Sequence, residues 1–169
     1  MAQGNIQPFD NANSCKMTGA LKFKVTANST GADGTVSRIK AGELVTKVAG
    51  VAGVIAAATN APTTTLRVVG VAASTSTETA SADGFVTVIP ALSGQVFMIA
   101  PAVAATFNTQ AKYNALCGAR VLIDNTAGVY SILAADGASN GCIIEYIDIA
   151  INPGMVAFSF SPLCDYKIV

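Results

Sequence analysis

The chain has no histidine and no tryptophan, and only 12% of its 169 residues are charged. Soluble domains usually carry about 25%. Without histidine, neither a Ser-His-Asp nor a Cys-His arrangement can form, and the usual general base near neutral pH is missing. No G-x-S-x-G motif and no P-loop with its lysine occurs. The four cysteines, Cys15, Cys117, Cys142 and Cys164, are widely spaced and include no C-x-x-C pair. A zinc site usually takes two close-spaced ligand pairs, so no metal and no cofactor is expected. The cysteines read as four reduced, buried, small apolar residues. Long hydrophobic runs are also missing. The longest, "VAGVAGVIAAA" at 48–58, has 11 residues, against the ~20 of a spanning helix. The N-terminus has neither the basic head nor the apolar stretch of a secretion signal, so synthesis and assembly in a cytoplasm are expected.

Ten basic residues balance ten acidic ones, with no basic run. Neither nucleic acid nor a membrane surface is an expected partner. Three glutamates (Glu43, Glu78, Glu145) and seven aspartates could in principle supply a glycosidase pair. Most of the aspartates stand in turn signals, and sugar-stacking tryptophan is absent. The expectation is that this is not an enzyme. A nearly neutral, sparsely charged chain fits a surface covered by copies of itself or by partners. A small-residue-rich β domain of low charge is the plain alternative.

What the sequence does contain is alternation. Residues 1–18 are polar, rich in Asn and Gln, and lack a period; they read as an extended N-terminal arm with Ile6, Pro8 and Phe9 as its apolar units. Residues 19–169 read as a single β domain. "LKFKVT" sets Leu21, Phe23 and Val25 on one face and Lys22 and Lys24 on the other. "ELVTKV", "TTLRVVGVAAS", "FVTVIP", "GQVFMIAP", "CIIEYIDIAI" and "MVAFSFS" are further strands, and "ARVLIDNTAGVYSIL" is a hairpin. In the last strand Val156, Phe158 and Phe160 share a face. "GVAGVIAAATNAP" is a buried strand with a bend, or a contact loop. Glu145 and Asp148, three apart in a strand, face opposite sides, with Arg120 or Arg67 as partner for whichever points inward. The one helix is "TQAKYNALC", capped by Asn108 or Thr109 and stopped at Gly118. About nine or ten short strands and one short helix predict an all-β, antiparallel sandwich or barrel-like fold.

"ADGTVSRIKAGELVTKVA" at 32–49 is echoed by "ADGFVTVIPALSGQVFMIA" at 82–100. The plainest account is two similar hairpins, each turned by Asp-Gly, because Asp accepts local backbone N–H groups and Gly takes φ > 0.

The segments "RIKAGELVTKV", "LRVVGVAAS" and "ADGFVTVIPALSGQVFMI", followed by "GARVLIDNTAGVYSI", "IIEYIDI" and "GMVAFSF", resemble in order and pattern the head decoration (capsid cement) proteins of tailed bacteriophages. The likeness spans roughly residues 36–160. It lies in pattern and order, without an invariant motif. The arm and the insert "AGVAGVIAAATNAP" depart from it. The resemblance implies a β-tulip-type domain, a homotrimer, and a place on the outer surface of the virion. It implies binding to the major capsid protein of the expanded icosahedral shell, cementing neighbouring subunits against the pressure of packaged DNA. The contact residues expected on this reading are Ile6, Pro8 and Phe9 of the arm and Val51, Val54 and Ile55 of the insert. Removal of residues 2–16 is expected to weaken shell binding and leave the fold intact. The competing readings are another phage structural protein, of tail or fibre, and a glycan-binding surface module.

Overall fold

The computed structural model describes residues 6–8, 20–34, 38–48, 55–57, 68–92, 95–133, 137–149 and 155–161. In chain order the strands are β1 (Gln7–Pro8), β2 (Leu21–Val25), β3 (Leu44–Lys47), β4 (Ile55–Ala57), β5 (Gly70–Ala72), β6 (Gly84–Pro90) and β7 (Val96–Ile99). A 3-10 turn at Ala104–Phe107 and helix α1 (Gln110–Leu116) follow. The rest are β8 (Arg120–Val121), β9 (Ile123–Thr126), β10 (Val129–Ile132), β11 (Cys142–Asp148) and β12 (Met155–Phe160). The fold is all-β, and every ladder between strands is antiparallel.

The first sheet runs β2-β6-β5-β3-β4. Its apolar runs are nearly continuous because much of it is buried on both faces. The cross-strand row Leu44–Val71–Ile89 points into the main core. The next row, Ala72–Val88, points the other way, into a smaller cluster with Val25, Ile39, Val45, Val69 and Val86. The sheet curls around that cluster until β4 comes close to β2. At β2 and the start of β6 one face stays wet, carrying Lys22, Lys24, Phe85 and Thr87.

The second sheet runs β1-β7-β12-β11-β8. Its inner face carries Phe97, Ile99, Val121, Ile144, Ile147, Val156, Phe158 and Phe160. The ring centroids of Phe97, Phe158 and Phe160 lie 5.3–5.8 Å apart, in the offset and edge-on geometries aromatic quadrupoles favour. As expected, Val156, Phe158 and Phe160 share one face. The hairpin β9–β10 forms its own small sheet and adds Ile123, Tyr130 and Ile132 to the core. It joins the end of β7 through Ile132 N–H to the Ala100 carbonyl, 3.0 Å, and Ala102 N–H to the Ile132 carbonyl, 2.9 Å. Its two-residue turn, Ala127–Gly128, takes positive φ at both positions (51° and 84°), the twist a tight hairpin needs. Helix α1 is capped by Thr109, whose side chain accepts from Lys112 N–H, and Gly118 beyond its end has φ 83°.

Several expectations need correction. Asp33-Gly34 turns no hairpin between neighbouring strands, because β2 pairs with β6, not β3. Asp83-Gly84 does belong to the hairpin of the paired strands β5 and β6, but the chain reverses just before it, where Thr79 N–H meets the Ala82 carbonyl at 2.9 Å. Gly34 (φ 77°) closes a turn in the long β2–β3 connection, with its N–H 3.0 Å from the Gly31 carbonyl. Gly84 instead opens β6 against backbone: a Cβ there would lie 2.0 Å from Glu78 N. Glu145 and Asp148 do not face opposite sides. Strand β11 bulges between Ile144 and Tyr146. The extra residue shifts the alternation, so Glu145, Tyr146 and Asp148 all lie on the outer face. Arg120 bonds the Ala138 carbonyl at 3.1 Å. Cys142 is buried, but Cys117, at the end of α1, is exposed; Cys15 and Cys164 lie outside the described residues.

Ile6 is also corrected. Expected as a contact for another chain, it is 2% exposed inside the main core. Its N–H reaches the Gly42 carbonyl at 3.3 Å, and Gln7 and Pro8 pair with Met98 and Phe97 at the edge of β7. A short apolar segment beside an unpaired strand edge gains both ladder bonds and burial by docking there. Removing residues 2–16 therefore takes away a core side chain as well as the arm. Ile6→Ala should destabilise the protein by about 2–5 kcal/mol in urea unfolding; an unchanged midpoint would place Ile6 outside the core.

Candidate functional surface

The two copies of the Ala-Asp-Gly echo meet different neighbours but use the same chemistry. In each, an aspartate pairs with a lysine and a glutamate is buried nearby. At the first, Lys40 Nζ is 2.8 Å from Asp33 Oδ2. Glu43, 2% exposed, accepts from Ala32 N–H at 3.4 Å. The β9–β10 hairpin closes over this turn. Asn125 Nδ2 donates to the Ala32 carbonyl at 2.8 Å while its Oδ1 accepts from Gly128 N–H at 2.9 Å. Gly128 lacks the Cβ that would come within 2.9 Å of Asp33 Cβ. Tyr130 lies buried beside Glu43 and takes a hydrogen bond from the Leu44 backbone.

Burial pushes the Glu43 carboxyl above its ordinary value. The Lys40 and Ala32 N–H groups and the Lys40 charge partly oppose that, and the Asp33 charge adds to it. Burial first, and the Glu43 charge second, push the Tyr130 phenol far up. Both groups thus resist ionisation. Closed off from solvent, Glu43 cannot meet a substrate; it ties the turn to the strand that follows.

At the second copy, Asp83 accepts from Ala27 N–H at 2.9 Å and from Lys24 at 2.6 Å. The Lys24 hydrogen bond, then the Ala27 N–H, holds its carboxyl below the usual range. Glu78 is 2% exposed. The Ser29 hydroxyl donates to one of its oxygens, and the other has no partner among the described residues. Arg38 Nε bonds the Glu78 carbonyl at 3.1 Å, fixing the loop.

The outward surfaces are simpler. Phe85 (47% exposed) stands on the wet ribbon of β2 and β6, with Lys22 Nζ 4.4 Å from its ring centroid. Tyr146 (43% exposed) stands on the outer face of the second sheet at the β11 bulge. Its ring meets Tyr113 of α1 edge-on at 5.7 Å. Cys117 donates to the Glu145 carbonyl at 3.1 Å, and Ser159 donates to the Glu145 carboxylate. The Cys117 thiol also bonds the Tyr113 phenol and raises its pKa.

Of the expected contact residues, Pro8 is in the edge strand β1 and Ile55 opens β4 at the rim of the first sheet. Ile6 is in the core. Phe9, Val51 and Val54 lie outside the described residues. The three described ones stand in different places, Ile6 before β1, Pro8 in β1 and Ile55 in β4. Two exposed aromatics were not expected. Phe85 was readable, because alternation through Val86 and Val88 turns it outward. Tyr146 was not, since its direction depends on the bulge. Comparison with protein-family models, with curated proteins and with solved structures finds no match for this chain.

The Glu43 shift has a definite sign. A carboxyl whose folded pKa lies above its ordinary 4.5 stabilises the fold fully below that value. It loses that contribution as pH rises through the folded pKa. Glu43→Gln, which keeps the acceptor oxygen, should flatten the fall of stability above pH 4.5 and leave the protein at least as stable near neutrality. Urea midpoints across pH read this; an unaltered slope would show that Glu43 does not titrate upward.

Proposed function

We propose that this chain is a structural virion protein. On this reading it binds the outer surface of an expanded icosahedral phage shell and cements neighbouring major capsid subunits. One observation carries the reading. The segments that resemble phage head decoration proteins map onto β3, β5 and β6, neighbours in one sheet, onto β7, β12, β11 and β8, neighbours in the other, and onto the separate β9–β10 hairpin. The resemblance therefore follows strands that build one shared core, not scattered loops. Sparse charge and zero net charge suit a protein that spends its life against other protein surfaces.

The mechanism is mechanical. Each copy bridges shell subunits by modest interfaces, and many such bridges sum to a large barrier against rupture. A bridge stabilises only the shell state that displays its two ends at the right spacing, so binding favours the expanded shell. Pro8 and Phe9, and Val51, Val54 and Ile55, remain the proposed shell contacts. Ile6, held in the core, anchors the residues that precede Phe9 in the chain.

The test is co-sedimentation of purified protein with expanded and unexpanded shells that lack it. Saturable binding to the expanded form alone is expected. Binding to neither form, or equally to both, would overturn the reading.

A further inference from the structure

The segment Ile6–Pro8 docks at a place that the rest of the fold builds. The Ile6 side chain, 2% exposed, enters the main core. Gln7 lies opposite Met98 and Pro8 opposite Phe97 along one edge of β7. The Gly42 carbonyl accepts from Ile6 N–H at 3.3 Å. The other edge of β7 is already paired with β12, so the edge that takes Gln7 and Pro8 is completed by β1 alone among the described strands.

The hold on this segment is short. The pairing covers two residues, and Pro8, with no N–H, gives the ladder no donor. To that pairing the described residues add the Ile6 side chain and its bond to Gly42. A terminal segment held this way can release while the sheets behind it stay folded. The tether is long by comparison. Residues 9–20 separate Pro8 from Leu21 at the start of β2, and fully extended they reach about 40 Å. A domain of this length has a radius of gyration of about 15 Å, so the tether can cross to a neighbour.

Docked on its own chain or on a second copy, the segment makes the same contacts. What separates the two states is chiefly the concentration at which the segment meets each place. A short tether presents its own segment at about 1 mM. A dilute chain therefore docks on itself, whereas copies packed side by side bring exchange into competition.

We propose that, where copies are crowded, Ile6–Pro8 of one copy docks on β7 of a second copy and completes that copy's core. Donor segment and acceptor edge are different parts of the chain, so the link is either reciprocal between two copies or runs around a ring. The inference deepens the shell-cementing reading and rests on it for the crowding: segments passed between neighbours join the copies to one another as well as to the subunits beneath. Its test in solution needs no shells.

In the experiment, Gln7→Cys is placed in one full-length chain and Met98→Cys in another, with Cys117→Ser in both to remove the exposed thiol. Residues directly opposite in an antiparallel pair lie within disulfide reach. The two chains are mixed, equilibrated and oxidised briefly. Neither chain holds both substitutions, so a disulfide mapped by mass spectrometry between positions 7 and 98 joins two chains. Its yield should rise about tenfold for each tenfold of protein concentration below ~1 mM. A chain carrying both substitutions should form the link within itself in dilute solution, which shows that the positions are in reach and the segment docked. A double variant that links when dilute, beside mixed chains that do not link at any concentration up to about 1 mM, overturns the proposal. So does a double variant that forms no link when dilute, because the docking itself would then be wrong. Mixed chains that bind expanded shells without linking, on the shells or in concentrated solution, overturn this inference alone. Linking in concentrated solution without any shell binding overturns the shell reading and leaves the exchange standing.

Discussion

Where β3, β5 and the end of β6 run side by side, the sheet is dry on both faces, and the rest of the molecule is arranged around that constraint. Both rows of side chains, Leu44–Val71–Ile89 on one face and Ala72–Val88 on the other, must be apolar. Close packing leaves so little room that a Cβ at Gly70 would lie 2.0 Å from the Ile89 carbonyl oxygen. Polar needs are moved to the ends of the strands, where Glu43 and Glu78 accept bonds from the loops that enter and leave the sheet. The hairpin β9–β10 is held there by Asn125 and Tyr130. With much of that sheet interior on both sides, its exposed side chains gather on the β2–β6 ribbon, at Lys22, Lys24 and Phe85.

Strand content and inward faces were legible because they depend on local alternation. Leu21, Phe23 and Val25 of β2, and Val156, Phe158 and Phe160 of β12, read correctly for that reason, as did the cap at Thr109 and the stop at Gly118. Misreadings came where distant segments decide. Asp33-Gly34 and Asp83-Gly84 look alike over a few residues. The first packs under the β9–β10 hairpin and the second against Glu78, and the matching residues of the two copies do not carry that difference. The bulge at Glu145 leaves no mark in the run "CIIEYIDIAI", yet it sets the direction of Tyr146 and Asp148. Ile6 looked like an exposed apolar residue of a polar arm; its burial follows from the free edge of β7, ninety residues away in the chain.

These corrections move the functional surface. Part of the arm is spent inside its own chain, so Phe9 and the insert carry the proposed shell contact, while Phe85 and Tyr146 are large aromatics left exposed. A cement need not bind tightly at any one place. Its effect grows from repetition over a regular lattice, and small low-charge faces suit that better than one large interface. The buried carboxyl and phenol at the first echo, Glu43 and Tyr130, tie loop to strand.

The most direct measurement is the temperature at which DNA-filled particles release their DNA, with and without this protein bound. Particles carrying it should hold their DNA to a higher temperature, and adding the purified chain back to depleted particles should restore the difference. Equal release temperatures for saturated and depleted particles would contradict the account.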